Sequence, residues 1–328
     1  GCFVVYAAAL VLAGTGPAYG ALLALFFAIG ASTRLLDSLL NATVSDLHGA
    51  DRGRYLNLLH ACFGLGALTG PLYFRFLMLR VERFTDSLLF LGLACAGLSL
   101  LYLPVGVLSH RLLRRGHAGV DGTDTKAKPT DVRALRHPAV WALAGAMLFY
   151  TAHQGGCTAW LPLYSREVLN APPILADAAL SLFWVGIVAG RLGASLLPRR
   201  VRPLSAVVWG SALGALVLSV GYLAALETVL LPALVITGLL TGAIIPLMVA
   251  EGCGWFPRQS GSLSSLLFLS GTVARLVFPW LTGFLSEWWG FAGGMWLTVA
   301  TLVACALCAG WALRAAPLRD GSPRSVSP

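Results

Sequence analysis

The 328 residues are 57% hydrophobic and only 11% charged, whereas a water-soluble domain carries about 25% charged and 45–50% apolar residues. The apolar residues fall in long runs, which excludes a soluble globule and makes lipid the expected solvent. The net charge of +9 points away from nucleic acid, because the basic residues gather at the ends of apolar runs, the arrangement that orients membrane proteins.

Ten helical spans are expected, over residues 1–16, 20–46, 55–79, 86–109, 138–164, 174–197, 204–225, 228–250, 261–286 and 290–313. Runs of about 20 apolar residues without period-2 alternation suit helices and exclude barrel strands. The first run, 2–13, is followed at once by Gly14, Thr15, Gly16 and Pro17. At ~1.5 Å per residue it reaches ~20 Å, short of a ~30 Å hydrocarbon core. It has no basic leader, so it reads as a membrane helix cut at its start and not as a signal peptide. The longest polar stretch, near 110–137, is too polar to fold by itself. It separates four spans from six. The chain thus divides into a helical segment over 1–110, a linker over 111–137, a six-helix segment over 138–316 and a tail over 317–328 expected to be disordered.

Orientation follows from lysine and arginine. With the first residue cytoplasmic, the cytoplasmic segments hold seventeen of the 23 basic residues, the opposite face holds Arg80, Arg83 and Arg166, and three fall within spans. The positive-inside rule then makes the linker and the C-terminus cytoplasmic.

The second span carries Arg34, Asp37, Ser38, Asn41 and Ser45 within an arc of about 100°. Placing Asp or Arg at a helix centre costs about 2.5–3.5 kcal/mol each, so this stripe faces other helices or a wet cavity. It is either a structural Arg34–Asp37 pair or a cavity wall with an ionisable carboxyl. In the fifth span Tyr150, His153, Gln154 and Cys157 share one face, with Trp160 near the far end. His153 is either a hydrogen-bonded packing residue or a lining residue of a solute path, and Gln154 is suited to a hydroxylated solute. Arg275 lies in the ninth span with nothing acidic one turn away, so it pairs across to another helix or attracts an anion. Gly64, Gly66 and Gly70 before Pro71, then Gly186 and Gly190, and Gly271 are small residues that permit close helix approach or bending.

The seven cysteines lie in or beside apolar segments and read as small hydrophobes, Cys305 and Cys308 included. There is no Gly-x-Ser-Gly, His-Glu-x-x-His or Walker-type loop, and His60 has no second ligand at metal spacing. Neither an enzyme nor a cofactor or metal is expected.

The stretch 41–71, NATVSDLHGADRGRYLNLLHACFGLGALTGP, resembles the fourth-to-fifth helix region of the fucose permease branch of sugar:proton symporters, in the major facilitator superfamily. LFYTAHQGGCTAWLPLY, SLFWVGIVAGRL, PLMVAEGCGWFPRQSGSLSSLLFLSG and FPWLTGFL resemble, in order, the family's seventh, eighth and tenth-to-eleventh helix regions. The resemblance covers nearly the whole chain and implies an all-α polytopic fold in which the ten spans correspond to helices three to six and seven to twelve, the first two being absent. It implies two halves rocking around a midplane site lined by helices one, four, seven and ten. Asp37, four positions before Asn41, would then contribute to proton coupling. Arg34, Ser38, Asn41, Tyr150, His153, Gln154, Trp160 and Arg275 would line the path, and Gly66, Gly70, Pro71, Gly190 and Arg191 would serve the conformational change. The implied protein is a monomeric secondary transporter of the cell membrane, moving a sugar-like or other small polar solute with a proton, with lipid as its only other partner. Two departures stand out: Gln154 occupies a position often acidic in this branch, and Arg275 one usually small. With Arg34 they leave an anionic solute open. Gly66-x-x-x-Gly70-Pro71 also resembles the helix-five motif of drug:proton antiporters, although Tyr73 and Phe74 stand where glycines usually follow. An exporter, or a membrane sensor that no longer transports, are the alternatives.

Overall fold

A computed structural model describes residues 1–48, 52–81, 83–116, 136–194, 202–256 and 259–317. Their regular structure is helical throughout: α1 Cys2–Gly14, α2 Tyr19–His48, α3 Arg52–Met78, α4 Phe84–Gly116, α5 Pro138–Glu167, α6 Pro173–Ala194, α7 Pro203–Ala224, α8 Glu227–Thr241, α9 Ile244–Trp255 and α10 Ser260–Arg314. The expected linker residues 117–135 and the tail from 318 lie outside the described residues. In lipid every backbone polar group must be paired within the chain, which is why runs of this composition become helices.

Six stretches among the described residues are long and apolar enough to cross a membrane: Tyr19–Asp37, Phe84–Tyr102, Pro173–Ala194, Pro203–Ala224, Glu227–Trp255 and Ser262–Arg314. Cys2–Gly14 and Cys62–Met78 are shorter apolar helices. The fold is therefore all-α and polytopic. α5 is not among the six, although it has 30 residues. Tyr150, Thr151, His153 and Gln154 at its centre dilute its hydropathy, and all four are buried inside protein.

The last two expected spans form one 55-residue helical element broken at Gly290, with φ 71 and ψ 163. At ~1.5 Å per residue such an element would run to ~80 Å unbroken, far beyond a ~30 Å core. Glycine has no Cβ to obstruct that backbone conformation, so the chain reverses there. The expected span 228–250 falls within one apolar stretch long enough to cross a membrane, Glu227–Trp255, which is built of two helices, α8 and α9, parted at Gly242 and Ala243. Pro246 explains the break: it has no N–H to give the Gly242 carbonyl four residues earlier.

The chain divides into two compact units, one made of Gly1–Cys62 with Leu72–Lys128, the other of Phe63–Pro71 with Pro129–Pro328. In the first, α1 packs on α4. Gly14 lies against the Leu89 backbone and Gly92 against Val11, so a side chain at either glycine would collide. In the second, α5 packs on α10 around Leu143, Met147, Leu161, Leu263 and Leu267. α5 starts at His137, whose Nδ1 accepts from the Ala139 N–H at 3.2 Å, with Pro138 in the first turn. α6 and α8 cross at backbone contact: Gly186 and Gly190 face Val235 and Leu239, while Gly238 and Gly242 face Phe183 and Ile187. Four glycines at i, i+4 on both helices bring the backbones this close.

Candidate functional site

The expected row on α5 does form one face, and the second unit encloses it. Tyr150 and His153 have no exposed surface, and Gln154 retains 3%. His153 Nδ1 lies 3.0 Å from the carbonyl oxygen of Thr298 on α10. A carbonyl only accepts, so Nδ1 carries the hydrogen. The Thr298 hydroxyl donates to the Met295 carbonyl at 2.7 Å, which leaves its oxygen to accept from Tyr222 Oη at 3.1 Å. Cys157 Sγ sits 3.8 Å from His153 Nδ1. These contacts tie α5, α7 and α10 together. His153 is thus a fully enclosed, hydrogen-bonded residue in this structure.

Gln154 and Arg275 meet. Arg275 Nη2 donates to Gln154 Oε1 at 3.3 Å, so the α10 arginine reaches another helix, one of the two expectations for it. The Gln154 Nε2 atom is buried and makes no hydrogen bond within the described structure; the Tyr150 hydroxyl, also buried, has the Thr241 hydroxyl of α8 beside it. Arg275 itself is exposed. Trp160 is half-buried, and its Nε1 donates to the Pro279 carbonyl at 2.9 Å while its ring stands edge-on to Phe291 at 5.7 Å.

Arg191 Nε donates to the Gly242 carbonyl at 3.2 Å, the acceptor that Pro246 strands. Gly190, its neighbour, is one of the glycines at the α6–α8 crossing. Gly66 and Gly70 differ: no described atom lies within 4 Å of where a Cβ would stand on either. The side chains of Ser38, Asn41, Ser45 and Pro71 are outside the described set.

In the first unit, Arg34 Nη1 and Asp37 Oδ2 are 3.7 Å apart on successive turns of α2, with side chains 58% and 50% exposed. The expected pair exists, and it is open on its outer side. A cavity of about 410 Å³ in this unit is lined by Arg80, Val81, Arg83, Asp86, Leu89 and Phe90; none of the expected path residues lines it. Among the described residues no cluster of His, Cys, Asp and Glu could hold a metal ion. Sequence reasoning missed Thr298, Tyr222 and the Gly242 carbonyl. Of these only the last had a local signal, Pro246 four residues on.

Residues 1–226 match the family description of the Major Facilitator Superfamily. The chain belongs to that superfamily. Among curated proteins it is similar to the inner membrane transport protein YdiN of Escherichia coli strain K12, at 28% identity over 158 residues, which is 46% of this chain. The chain spans only 37% of the length of that relative in the match. Among solved structures it resembles a bacterial homolog of the human lysosomal transporter Spinster, inward-facing and occupied, with a TM-score of 0.70 at 15% identity, over 98% of this chain and 83% of that one. A single-residue variant of the E. coli fucose:proton symporter FucP superposes with a TM-score of 0.67 at 17% identity, over 95% of this chain and 81% of that one. At such identities the likeness establishes a common superfamily fold, shared with more than one branch.

Proposed function

We propose that this superfamily member is a secondary active transporter working by alternating access, and that it moves a sugar-like or other small polar solute together with a proton. The observation that carries the reading is the polar seam of the second unit. A helix within a membrane bundle keeps Tyr150, His153 and Gln154 in its centre, with Arg275 against Gln154. Ionisable and polar groups at that depth are costly and mark solute and ion pathways. The resemblance of residues 41–71 to the fucose permease branch, and the likeness to the FucP fold, support a proton-coupled mechanism.

In this reading the spans are in register with helices three to twelve of a twelve-helix fold. Residues 1–110 and 138–316 belong to its two halves, and 111–137 is a cytoplasmic linker. Asp37 takes the coupling proton, and the loss of its charge shifts the balance between the two open states. Arg34, one turn away, is the partner that the carboxylate gives up when the proton arrives. Gln154 and Arg275 meet the solute, Trp160 borders the path, and Gly190 with Arg191 serves the moving elements of the second half.

The test is solute-dependent proton uptake into vesicles carrying the full-length protein, with Asp37→Asn in parallel. Loss of proton movement in Asp37→Asn, with solute binding retained, is the expected result. Equal gradient-driven accumulation in the variant would show that Asp37 is structural.

A further inference from the structure

We propose that the cavity at the start of α4 is a headgroup site for a zwitterionic, amine-bearing membrane phospholipid, its phosphate held by Arg80 and Arg83 and its ammonium by Asp86. The cavity lies within the first unit, has a volume of about 410 Å³ and is lined by Arg80, Val81, Arg83, Asp86, Leu89 and Phe90. That volume falls in the range of about 300–1,000 Å³ that takes a small ligand. Two contacts hold the arginines in place. Arg80 Cζ stands 3.7 Å from the centroid of the Phe76 ring, in the last turn of α3. A guanidinium over a ring uses its face, and its N–H groups lie in its plane, where they still reach a ligand. Arg83 Nη2 lies against Gly16 in the turn between α1 and α2, where a Cβ would collide with it. Gly16 also has φ 72, so glycine is required there for two reasons. Among the described residues, Arg80, Arg83 and Asp86 form no ion pair.

The charges on this turn select the ligand. Arg80 and Arg83 carry two positive charges, and Glu82 and Asp86, in the same short segment, carry two negative ones. A headgroup with phosphate and ammonium together suits such a balanced set, whereas a net anion is attracted by the arginines and repelled by the carboxylates. The arginine fork matches phosphate oxygens, and a primary ammonium gives the Asp86 carboxylate a donor. Val81, Leu89 and Phe90 supply the apolar half of the lining. Below the cavity the apolar surface continues. At 100° per residue Asp86, Phe90, Leu93, Gly97 and Leu101 fall within an arc of about 80° on α4. Phe90, Leu93, Gly97 and Leu101 are exposed, and no described atom lies within 4 Å of where a Cβ would stand on Gly97. At ~1.5 Å per residue this row runs ~20 Å, longer than the ~15 Å of one leaflet's hydrocarbon. It lies along the membrane-crossing stretch Phe84–Tyr102, whose first residues border the cavity. A polar rim above a strip long enough for an acyl chain fits a lipid and gives a free phosphate ester nothing to use.

The experiment is native mass spectrometry of the full-length protein, titrated in detergent with phosphatidylethanolamine or phosphatidylglycerol of identical acyl chains. The wild type should hold its first phosphatidylethanolamine about threefold or more tighter than phosphatidylglycerol. Arg80→Gln combined with Arg83→Gln should weaken both lipids about tenfold. Asp86→Asn should weaken phosphatidylethanolamine alone and erase the preference, an outcome that a surface acting only through its arginines would not give. O-phosphoethanolamine, the same headgroup without acyl chains, should fail to displace the lipid even in large excess. Equal retention of the two lipids by the wild type, or a preference for phosphatidylglycerol, would overturn the proposal. So would an unchanged preference in Asp86→Asn, or undiminished retention in the double arginine variant; if that variant is not monodisperse, undiminished retention in Arg83→Gln does the same. Displacement by O-phosphoethanolamine would assign the cavity to a soluble ligand and overturn the lipid assignment.

Discussion

Arg191 and Pro246 offer a double-mutant test of why the second unit tolerates a broken helix. Pro246 removes the N–H that an unbroken helix would supply to the Gly242 carbonyl, and Arg191 Nε supplies a replacement at 3.2 Å from α6. Arg191→Met keeps most of the aliphatic stem and removes the donor. A hydrogen bond from a charged donor contributes about 1.5–3 kcal/mol, and a buried acceptor left without a partner costs about 1–3 kcal/mol. Arg191 is only half-buried, so the lower end applies and the variant should lose about 1.5 kcal/mol. Pro246→Ala returns the backbone N–H. In that background Arg191→Met should cost about 0.5 kcal/mol or less, which is a coupling of about 1 kcal/mol. The assay is reversible unfolding in mixed micelles at increasing SDS fraction, read by tryptophan fluorescence, for the wild type, both single variants and the double. Additivity within about 0.3–0.5 kcal/mol would refute the reasoning and leave Arg191 held by its other contacts.

Three further expectations use the same assay. Gly238→Leu should cost about 3 kcal/mol or more, because a Cβ there meets the Phe183 carbonyl and the Ile187 N–H, whereas Gly66→Ala and Gly70→Ala, which face open space, should stay within about 0.5 kcal/mol of wild type; equal costs would refute the close crossing. Asp37→Asn should change stability by about 0.5 kcal/mol at most, since the pair is exposed on both sides, even as it abolishes proton coupling; a large loss would assign Asp37 to structure. Tyr222→Phe deletes the donor to Thr298 Oγ1 and should cost about 0.5–1.5 kcal/mol, and no loss would place that hydroxyl outside the network.

What could be read in the chain, and what could not, separates along one physical line. Lipid obliges a long apolar run to close its own hydrogen bonds, so the helices follow from composition alone. The 100° periodicity likewise puts Tyr150, His153 and Gln154 on one face of α5. Periodicity does not name what that face meets. Thr298 lies 145 residues from His153, and Arg275 lies 121 from Gln154. The glycines make the same point from the other side. Gly66 and Gly70 share the i, i+4 spacing of Gly238 and Gly242, yet open space lies before the first pair and another helix's backbone before the second. Such spacing states a capacity for close approach, and only the neighbour decides whether the capacity is used. Proline is the exception, because its covalent structure states a need and not a capacity. Pro246 implies a stranded carbonyl at Gly242 whatever surrounds it, and a stranded carbonyl inside a membrane bundle implies a donor. Arg191 meets that requirement from 51 residues away. Pro232 and Pro246 are thus the two places within the spanning stretch Glu227–Trp255 where covalent chemistry strands a carbonyl, and at the second of them the structure shows the long-range donor that answers it.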